Sequence, residues 1–352
     1  MSEKPRRHAP RDQALIEELE AALKPRLHFP PQPPEGFDPL AATADELNMF
    51  GLPPRPDRDT LPEAHALWRK LLSPPLTILP AVFPAFKTVD YRITGHLAKK
   101  KFVTRQHHET SRNWSGAFIT ANGRGPFTMV FGSWTIPLPK RPTGGADDDY
   151  RCSTWIGLDG VRLHSRSLPQ LGTTQSVLVA GGTETKTIEA WYQWWIRGQQ
   201  FPPVPFPSPF SVQAGDVVMC SLTMLTPTRV RFAIKNLTQP GGPFSRVDLD
   251  VPPVPGVLPS ELAVRGGNAE WIAERPMKLG SDDLYPLADY TSVRFEPCLA
   301  LVPAAVRDLR GARLLRMVEA RGNPHRAAII SSARKMPPTQ FVVQARYRYE
   351  GT

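Results

Sequence analysis

A short stretch late in the chain alternates between apolar and polar residues, which is the pattern of a β-strand. Residues 266–274 read Gly-Gly-Asn-Ala-Glu-Trp-Ile-Ala-Glu. Because successive side chains of a strand point to opposite faces, Ala269 and Trp271 would share an apolar face that suits a core. Glu270 and Glu274 would lie together on the other face. Two interpretations of that acidic face are open at this point: a solvated outer surface, or a rigidly held general acid/base.

The same kind of pattern recurs from about residue 113 to the end of the chain. Short runs rich in β-branched and aromatic residues are separated by Gly/Pro turns, which predicts an all-β sandwich or barrel. Residues 299–318 fit either a short helix or another strand. The other predicted strands cover residues 127–137, 153–160, 189–196, 216–225, 229–236, 292–296 and 340–347.

The first 105 residues follow a different pattern, in which short amphipathic helices are separated by prolines. Two Thr-x-x-Glu sequences have the spacing of a capping box at a helix start: Thr43 with Glu46, and Thr60 with Glu63. Helices this short bury little surface by themselves. We therefore expect residues 1–105 to form a helical, proline-rich N-terminal extension or pro-segment, and residues 106–352 to form the β domain on which it packs.

Composition and charge narrow the classes of protein. Proline accounts for 40 of the 352 residues, about twice its usual ~5% share, which disfavours a helix bundle. The net charge of +10 is compatible with nucleic acid, an anionic membrane or simple solubility. No dense Lys/Arg run with interleaved aromatic residues is present, and no apolar run reaches transmembrane length. We expect a monomer that binds neither nucleic acid nor membrane.

Cysteine usage and motif searches exclude several kinds of site. The three cysteines, Cys152, Cys220 and Cys298, are odd in number and lack CxxC spacing, so buried free thiols are expected instead of disulfides or a zinc site. No Gly-x-Ser-x-Gly or His-Glu-x-x-His sequence occurs, which argues against the common serine and zinc hydrolases.

Tryptophan is concentrated in two of the predicted strands. Trp155 and Asp159 share a face of one strand, and Trp191, Gln193 and Trp195 share a face of another. A core position is the ordinary place for tryptophan. Since alternation sends the aromatic residues of 189–196 to both sides, at least one side is expected to serve a cleft or an interface. If these faces adjoin Glu270 and Glu274, they would form a Trp-walled groove with carboxylates at its floor.

Seven motifs follow one another in an order that resembles the glutamic peptidases (eqolisins), over roughly residues 112–350. Each motif alone is weakly specific, but the succession of all seven in this order is specific. The motifs are Asn113-Trp114-Ser115-Gly116-Ala117, Trp134-Thr135-Ile136-Pro137, Trp155-Ile156-Gly157-Leu158-Asp159-Gly160, Pro169-Gln170-Leu171-Gly172, Ala190-Trp191-Tyr192-Gln193-Trp194, Asn268-Ala269-Glu270-Trp271-Ile272-Ala273-Glu274 and Ala288-Asp289-Tyr290-Thr291-Ser292-Val293-Arg294-Phe295.

The resemblance implies a fold, an activity and a site. The fold would be a sandwich of two antiparallel sheets of the concanavalin/lectin-like jelly-roll kind. The activity would be acid-acting endopeptidase cleavage of polypeptides by a Gln/Glu dyad and an activated water, with no metal or other cofactor. Matched residue by residue, the dyad would be Gln170 and Glu274. Trp155, Asp159 and Trp191 would line the substrate cleft.

The chain departs from the family pattern at several points. Gln193 stands where the family usually has a glutamate, which would change substrate preference, pH dependence or catalytic competence. The resemblance implies secretion, yet no ordinary signal sequence follows the N-terminal charges, so localisation stays open. The alternative function is a weak or inactive β-sandwich that binds carbohydrate or peptide in a Trp-lined groove.

Overall fold

A computed structural model shows that the protein is an all-β sandwich, as the sequence predicts. It describes residues 17–18, 20–80, 82, 90–98, 108–161, 165–321, 323–336 and 341–345. Residues 17–18 and 20–23 are helical and lead into a short 3-10 turn at Lys24–Arg26; the helices α1 (Ala44–Met49) and α2 (Pro62–Leu72) follow, and a second 3-10 turn spans Pro259–Leu262.

The described residues form twenty strands. The first ten are β1 (Leu27–His28), β2 (Thr77–Ile78), β3 (Tyr91–Arg92), β4 (His108–Ser111), β5 (Trp114–Thr120), β6 (Met129–Thr135), β7 (Asp149–Leu158), β8 (Ser167–Ala180), β9 (Thr183–Ile196) and β10 (Val204–Pro205). The other ten are β11 (Val217–Thr226), β12 (Arg229–Asn236), β13 (Pro243–Asp250), β14 (Asn268–Glu274), β15 (Met277–Lys278), β16 (Ser292–Val302), β17 (Ala305–Arg307), β18 (Arg313–Arg321), β19 (Asn323–Lys335) and β20 (Phe341–Ala345).

The long strands form two antiparallel sheets. Sheet I has the order β10-β9-β8-β7-β14-β5. Sheet II has the order β13-β12-β11-β6-β16-β20-β19, with β1 and β2 at its β13 edge. Strand β18 pairs with both β5 and β19 and so joins the two sheets at one side.

The apolar faces of the two sheets meet in the main core. Trp271 of sheet I reaches across this core, and its indole Nε1 donates a hydrogen bond to the carbonyl oxygen of Phe131, 2.8 Å away. Gly132 makes room for the ring, because a Cβ at that position would lie 3.0 Å from Trp271 Cδ1 and 2.5 Å from Ile156 Cγ2. The core therefore fixes the inward face of β14, and its opposite face is left for the site.

The N-terminal arm, residues 27–79, packs on the outer face of sheet II. Helix α2 buries Ala64, Trp68, Leu71 and Leu72, and this apolar stripe belongs to one cluster with side chains of β6, β11, β12, β13 and β16. The indole of Trp68 donates to the carbonyl of Pro53 at 2.9 Å. The division at residue 105 stays a prediction, but the arm does find its partner surface in the same chain.

Three buried cations on the outer face of sheet II hold the arm through its backbone. Arg231, Lys235 and Arg246 all donate to main-chain carbonyl oxygens of the arm. The acceptors are Leu52 for Arg231 (2.8 Å), Ser73 for Lys235 (2.7 Å), and Pro31, Phe50 and Leu79 for Arg246 (2.8, 2.8 and 2.5 Å). Because buried charges need partners, this part of the arm is an integral cover of sheet II.

Some local predictions are confirmed and others are wrong. Thr43 caps α1 in a full capping box with Glu46. Thr60 does not cap α2, because Pro62 occupies the first turn, the helix starts one residue later, and the Thr60 hydroxyl bonds to Asp57. The ambiguous residues 299–318 are strand, in β16, β17 and β18.

Candidate active site

Strand β14 lies between β5 and β7 in sheet I and carries both candidate carboxylates on the face opposite the core. Glu270 and Glu274 have no exposed surface. The solvated interpretation of this acidic face is therefore wrong. Two fully buried carboxylates on one strand need a specific explanation, because burying an ionised group is costly unless it is paired or hydrogen-bonded.

The carboxylate of Glu274 is surrounded by hydrogen-bond donors. Its Oε1 accepts from the backbone N–H of Thr94 at 2.9 Å and from Asn113 Nδ2 at 3.3 Å. Its Oε2 accepts from the indole nitrogens of Trp114 and Trp155, both at 3.0 Å. The Thr94 hydroxyl lies 3.4 Å from Oε1. Both oxygens are thus fully engaged.

The carboxylate of Glu270 is much less engaged. Its Oε2 accepts a short hydrogen bond from Asn268 Nδ2, while its Oε1 is buried with no hydrogen-bond partner among the described residues. A buried polar atom without a partner is rare in folded proteins and calls for an explanation. Of the two glutamates, Glu270 is therefore the one with a carboxylate oxygen that no donor among the described residues occupies.

Gln170, the predicted partner in the dyad, lies on the same row of sheet I as Glu270. Across the sheet Glu270 faces Gly157, Gly157 faces Gln170, and Gln170 faces Gln193. Gln193 Nε2 donates to the Phe201 carbonyl at 2.6 Å, and its Oε1 accepts from Gln170 Nε2 at 3.0 Å. These contacts fix the Gln170 amide so that its Oε1 is buried and, like the Oε1 of Glu270, has no hydrogen-bond partner in the described part of the chain.

Sheet geometry separates the two glutamates from Gln170 by different distances. Two strand spacings lie between Gln170 and Glu270, which is about 10 Å between Cα atoms. Glu274 lies four residues further along β14, about 13 Å more in the strand direction. Side chains of about 5 Å projecting from the same face can therefore place Gln170 and Glu270, but not Gln170 and Glu274, around one small molecule or peptide bond.

Two tryptophans occupy the next row of the sheet, between the two glutamates. Trp155 and Trp191 face each other across Gly172. A Cβ at Gly172 would lie 2.5 Å from Trp155 Cβ and 2.1 Å from the Thr154 carbonyl oxygen. Both rings are fully buried, and the indole nitrogen of Trp191 has no described partner. The structure thus brings the predicted tryptophans together beside the carboxylates.

Asp159, predicted to line the cleft, is held by the backbone that leads into β14. It ends β7 with a positive φ of 69°. Its carboxylate accepts from the N–H groups of Arg265 (2.6 Å), Gly266 (3.1 Å) and Gly267 (2.7 Å). Asp159 therefore fixes the start of β14, and with it the position of Glu270. Its predicted contact with substrate stays a prediction.

The pKa values of both glutamates are raised, but the surrounding groups act on them differently. Burial raises the pKa of Glu270 well above its usual value, and the negative charge of Asp159 raises it further. Burial also raises the pKa of Glu274, but there the surrounding N–H donors act in the opposite direction. A carboxyl group with a raised pKa keeps its proton over part of the acid range and can donate it, and it can accept a proton once it is ionised. Glu270 combines that property with a free oxygen.

Several residues of the site escaped sequence analysis. Thr94 contacts Glu274 from residues 90–98, which follow the arm, and lies 180 positions away in the chain; no local pattern marks it. Asn113 and Trp114 belonged to a family motif, but their role as donors to Glu274 could not be assigned from sequence. Among the residues that the structure describes, no three His, Cys, Asp or Glu side chains come together as metal ligands.

Solved structures with a similar fold are glutamic peptidases. A scytalido-glutamic peptidase bound to a transition state analog inhibitor aligns with a TM-score of 0.51 and 20% identity, over 66% of this chain and 98% of that one. SCP-B, an eqolisin in complex with the tripeptide Ala-Ile-His, has a TM-score of 0.49 and 19% identity, over 66% and 98%. Aspergilloglutamic peptidase from Aspergillus niger has a TM-score of 0.40 and 20% identity, over 56% and 99%.

No helix in the described part of the chain is long and apolar enough to cross a membrane.

The family of the protein is established from its sequence. No curated protein sequence matches the chain. The model of the Peptidase A4 family matches residues 112–341, which contain the whole of strands β5 to β19 and every site residue that the sequence predicts. Because this match covers well over half of the 352 residues, the protein belongs to the Peptidase A4 family, the glutamic peptidases.

Proposed function

We propose that the protein is an acid-acting glutamic endopeptidase in which Gln170 works with a carboxylate of β14. The observation that carries the proposal is a pair of buried oxygens on one row of sheet I, Gln170 Oε1 and Glu270 Oε1, neither of which has a hydrogen-bond partner among the residues that the structure describes. Gly157 lies between them and contributes no side chain to the row. A water molecule with hydrogens to donate fits two such acceptors.

The chemistry of the site follows from the donors and acceptors of these two residues. Glu270 Oε1 accepts a proton from the water as its oxygen bonds to the scissile carbonyl carbon. Gln170 Oε1 accepts the water's other hydrogen and so orients the attack. The second N–H of Gln170 Nε2, which Gln193 does not use, donates to the oxyanion. Glu270 then returns its proton to the leaving nitrogen as the C–N bond breaks.

The choice of Glu270 differs from the assignment made from sequence, where Glu274 takes the catalytic role. That assignment stays a prediction. The geometry favours Glu270, because the oxygens of Glu274 are already used by Thr94, Asn113, Trp114 and Trp155. Glu274 would have to lose these donors before it could bind a water.

Parallel Glu270→Gln and Glu274→Gln variants test the proposal. Hydrolysis of an unfolded protein substrate is measured from pH 2 to 7, with near-UV circular dichroism to show that each variant is folded. We expect Glu270→Gln to lose at least about a thousandfold in kcat/KM, since a base and acid are removed together. Full activity in a folded Glu270→Gln variant, with loss confined to Glu274→Gln, would return the role to Glu274. Wild-type activity in both variants would contradict the proposed mechanism.

The other predicted site residues have positioning roles in this proposal. Gln193 orients Gln170, and Trp155 and Trp191 form the apolar wall beside the reacting groups. No metal takes part in the proposed reaction, so we expect that a strong chelator leaves the hydrolysis rate unchanged. A chelator-sensitive rate that returns on addition of a divalent cation would contradict this part of the proposal.

The alternative of carbohydrate binding has less support from the structure. Sugar binding by stacking needs an accessible aromatic face, whereas Trp155 and Trp191 are completely buried. Peptide binding without catalysis is the stronger rival. A protein that only binds peptides would have no use for the two free oxygens of Gln170 and Glu270. The activity measurements on the glutamate variants distinguish peptide binding from peptide hydrolysis.

A further inference from the structure

Strand β9 lies at one edge of sheet I, and its first half has no neighbour on the outer side. Strand β8 pairs with all of β9 on the inner side without a register shift. On the outer side, β10 pairs only with Trp191 and Tyr192, near the end of β9. Residues 183–187 are exposed, and no described residue pairs with the outer side of residues 183–188. We call this half-strand, residues 183–188, the open edge.

The backbone groups that point outward from the open edge belong to its even-numbered residues. The carbonyl oxygen of Ala190 accepts the N–H of Phe206, on the β10 side, at 3.0 Å. Because the side to which N–H and C=O point alternates from one residue of a strand to the next, the backbone groups of Glu184 and Lys186 also point outward. A row of unpaired backbone groups is a template for a further strand.

The open edge lacks the features that usually keep a second strand away. It contains no proline and no bulge, and three of its six residues are threonine, which favours extended structure. A lysine on an edge strand is a common protection. Here, however, the charge of Lys186 is balanced by Glu184, whose carboxylate lies 3.3 Å from the Lys186 ammonium. The open edge therefore carries no net charge.

The order of these two charges fits a second copy of the same chain. In an antiparallel pair of open edges centred on Thr185, Glu184 lies opposite Lys186 of the partner subunit, and symmetry repeats the contact. Thr183 lies opposite the partner subunit's Thr187. Opposite charges and threonine pairs across neighbouring strands are both favourable. Pairing centred on residue 184 or 186 would instead place like charges directly opposite each other, which is destabilising.

The same register suits the backbone. Residues 184 and 186 both point their N–H and C=O groups outward, so each facing pair can exchange two hydrogen bonds, as in an ordinary antiparallel ladder. A register centred between two residues would place outward-pointing groups opposite inward-pointing ones and would form no ladder. Charge and backbone therefore select the same arrangement, the one centred on Thr185.

We propose that the protein forms a symmetric dimer in which the open edges of two copies pair in antiparallel fashion about Thr185. The two copies of sheet I then make one continuous sheet. The two-fold axis is perpendicular to this sheet, so both candidate sites lie on the same face of it. Gln193 lies eight positions from Thr185 on β9, which places the two sites roughly 50 Å apart along the strands. Neither copy covers the site of the other.

The dimer differs from the monomer that we expect from the sequence, and it does not depend on the proposed peptidase function. Sedimentation equilibrium of the full-length chain tests it, at neutral pH and low ionic strength, where both charges are present and little screened. Because interfaces of a few residues per copy are weak, the loading concentrations run from roughly 1 to 200 μM.

The test variants reverse one charge of the open edge at a time: Glu184→Lys and Lys186→Glu. The matched control is Lys70→Glu, which makes the same change of charge at an exposed position of α2. Far-UV circular dichroism shows whether each variant is folded.

We expect a dimer for the wild type and for Lys70→Glu. Glu184→Lys and Lys186→Glu should each self-associate at least tenfold more weakly, since all facing charges then have the same sign. An equimolar mixture of these two variants should dimerise as tightly as the wild type, because every charge again faces its opposite. The mixture isolates the contact between copies, since both variants have lost the contact between residues 184 and 186 inside one chain.

A wild type that stays monomeric at the highest concentration would overturn the proposal, and so would a mixture that associates no better than its two components. If either charge variant does not fold, Thr185→Lys replaces the pair. It places two like charges opposite each other at the two-fold axis and should abolish the dimer, whereas an undiminished dimer contradicts the proposed register. A wild-type dimer without hydrolytic activity supports this proposal and contradicts the proposed function.

Discussion

Replacement of Arg246 by methionine is expected to destabilise the protein through the arm, far from the site. Arg246 lies on the outer face of sheet II and is 1% exposed. Burial, together with the nearby charge of Arg231, lowers its pKa to about 10, so it is still charged at neutral pH. Methionine has a similar length and fills the space of the aliphatic stem, but it cannot donate a hydrogen bond.

The magnitude follows from the acceptors that the guanidinium leaves behind. Three carbonyl oxygens lose their donor: that of Leu79, which is buried, that of Phe50, which is partly buried, and that of Pro31, which is exposed. An unsatisfied buried polar group costs about 1–3 kcal/mol, so the Leu79 carbonyl alone gives a loss of about 1–3 kcal/mol, and water can satisfy the exposed Pro31 carbonyl. The lowered pKa of Arg246 shows that the folded state disfavours this buried charge, so removal of the charge offsets part of the loss.

Urea unfolding at neutral pH measures the effect as a change in the free energy of unfolding. The matched control is Arg294→Met on β16, where the side chain is 55% exposed and its nearest carboxylate, that of Glu296, is 4.0 Å away. An exposed pair of this kind contributes about 0–1 kcal/mol. If Arg246→Met loses no more stability than Arg294→Met, the argument that backbone carbonyls fix the arm on sheet II is refuted.

Three further predictions concern the site. The raised pKa values of Glu270 and Glu274 mean that the folded state binds protons more tightly, so their contribution to stability is complete below the ordinary glutamate pKa. This stabilising contribution is lost as pH rises through the pKa values of the two groups in the folded state. Urea unfolding at pH 4 and pH 7 measures the loss as a fall in the free energy of unfolding, and Glu270→Gln should make that fall smaller. Gln193→Glu adds a negative charge beside Gln170 and should move the acid limb of the activity profile to higher pH, whereas an unchanged profile contradicts this. Asp159→Asn keeps only one acceptor oxygen and should cost about 1–3 kcal/mol in thermal unfolding; a loss below about 0.5 kcal/mol contradicts the clamp.

The alternation of apolar and polar residues predicted the strands that have one apolar face. It did not predict strands in which polar residues are buried. Strand β14 was identified because Ala269 and Trp271 alternate with its acids. Strand β8 was not identified as a strand, because its centre reads Gly-Thr-Thr-Gln-Ser. The first four of these residues are buried all the same, since Thr173 and Thr174 bond to hydroxyls of the adjacent strand β7. Cross-strand partners of this kind cannot be read from a single segment.

The candidate site was predicted in its residues but not in its geometry. Sequence placed Gln170, Glu270 and Glu274 in one groove. Which glutamate shares a row with Gln170 depends on the register of β14 against β7 and of β7 against β8, and register is set by the whole core. The cover supplied by Thr94 depends on a contact between distant parts of the chain, which no local pattern contains.

The three cysteines offer a practical consequence for following the folding of this protein. Cys298 and Cys220 face opposite sides of Gly132 in sheet II, about 10 Å apart across two strand spacings, which is too far for a disulfide. All three thiols are free and fully buried, and burial raises their pKa. A thiol reagent should therefore modify them only when the sandwich opens, so that the rate of labelling reports global unfolding without the introduction of a further cysteine.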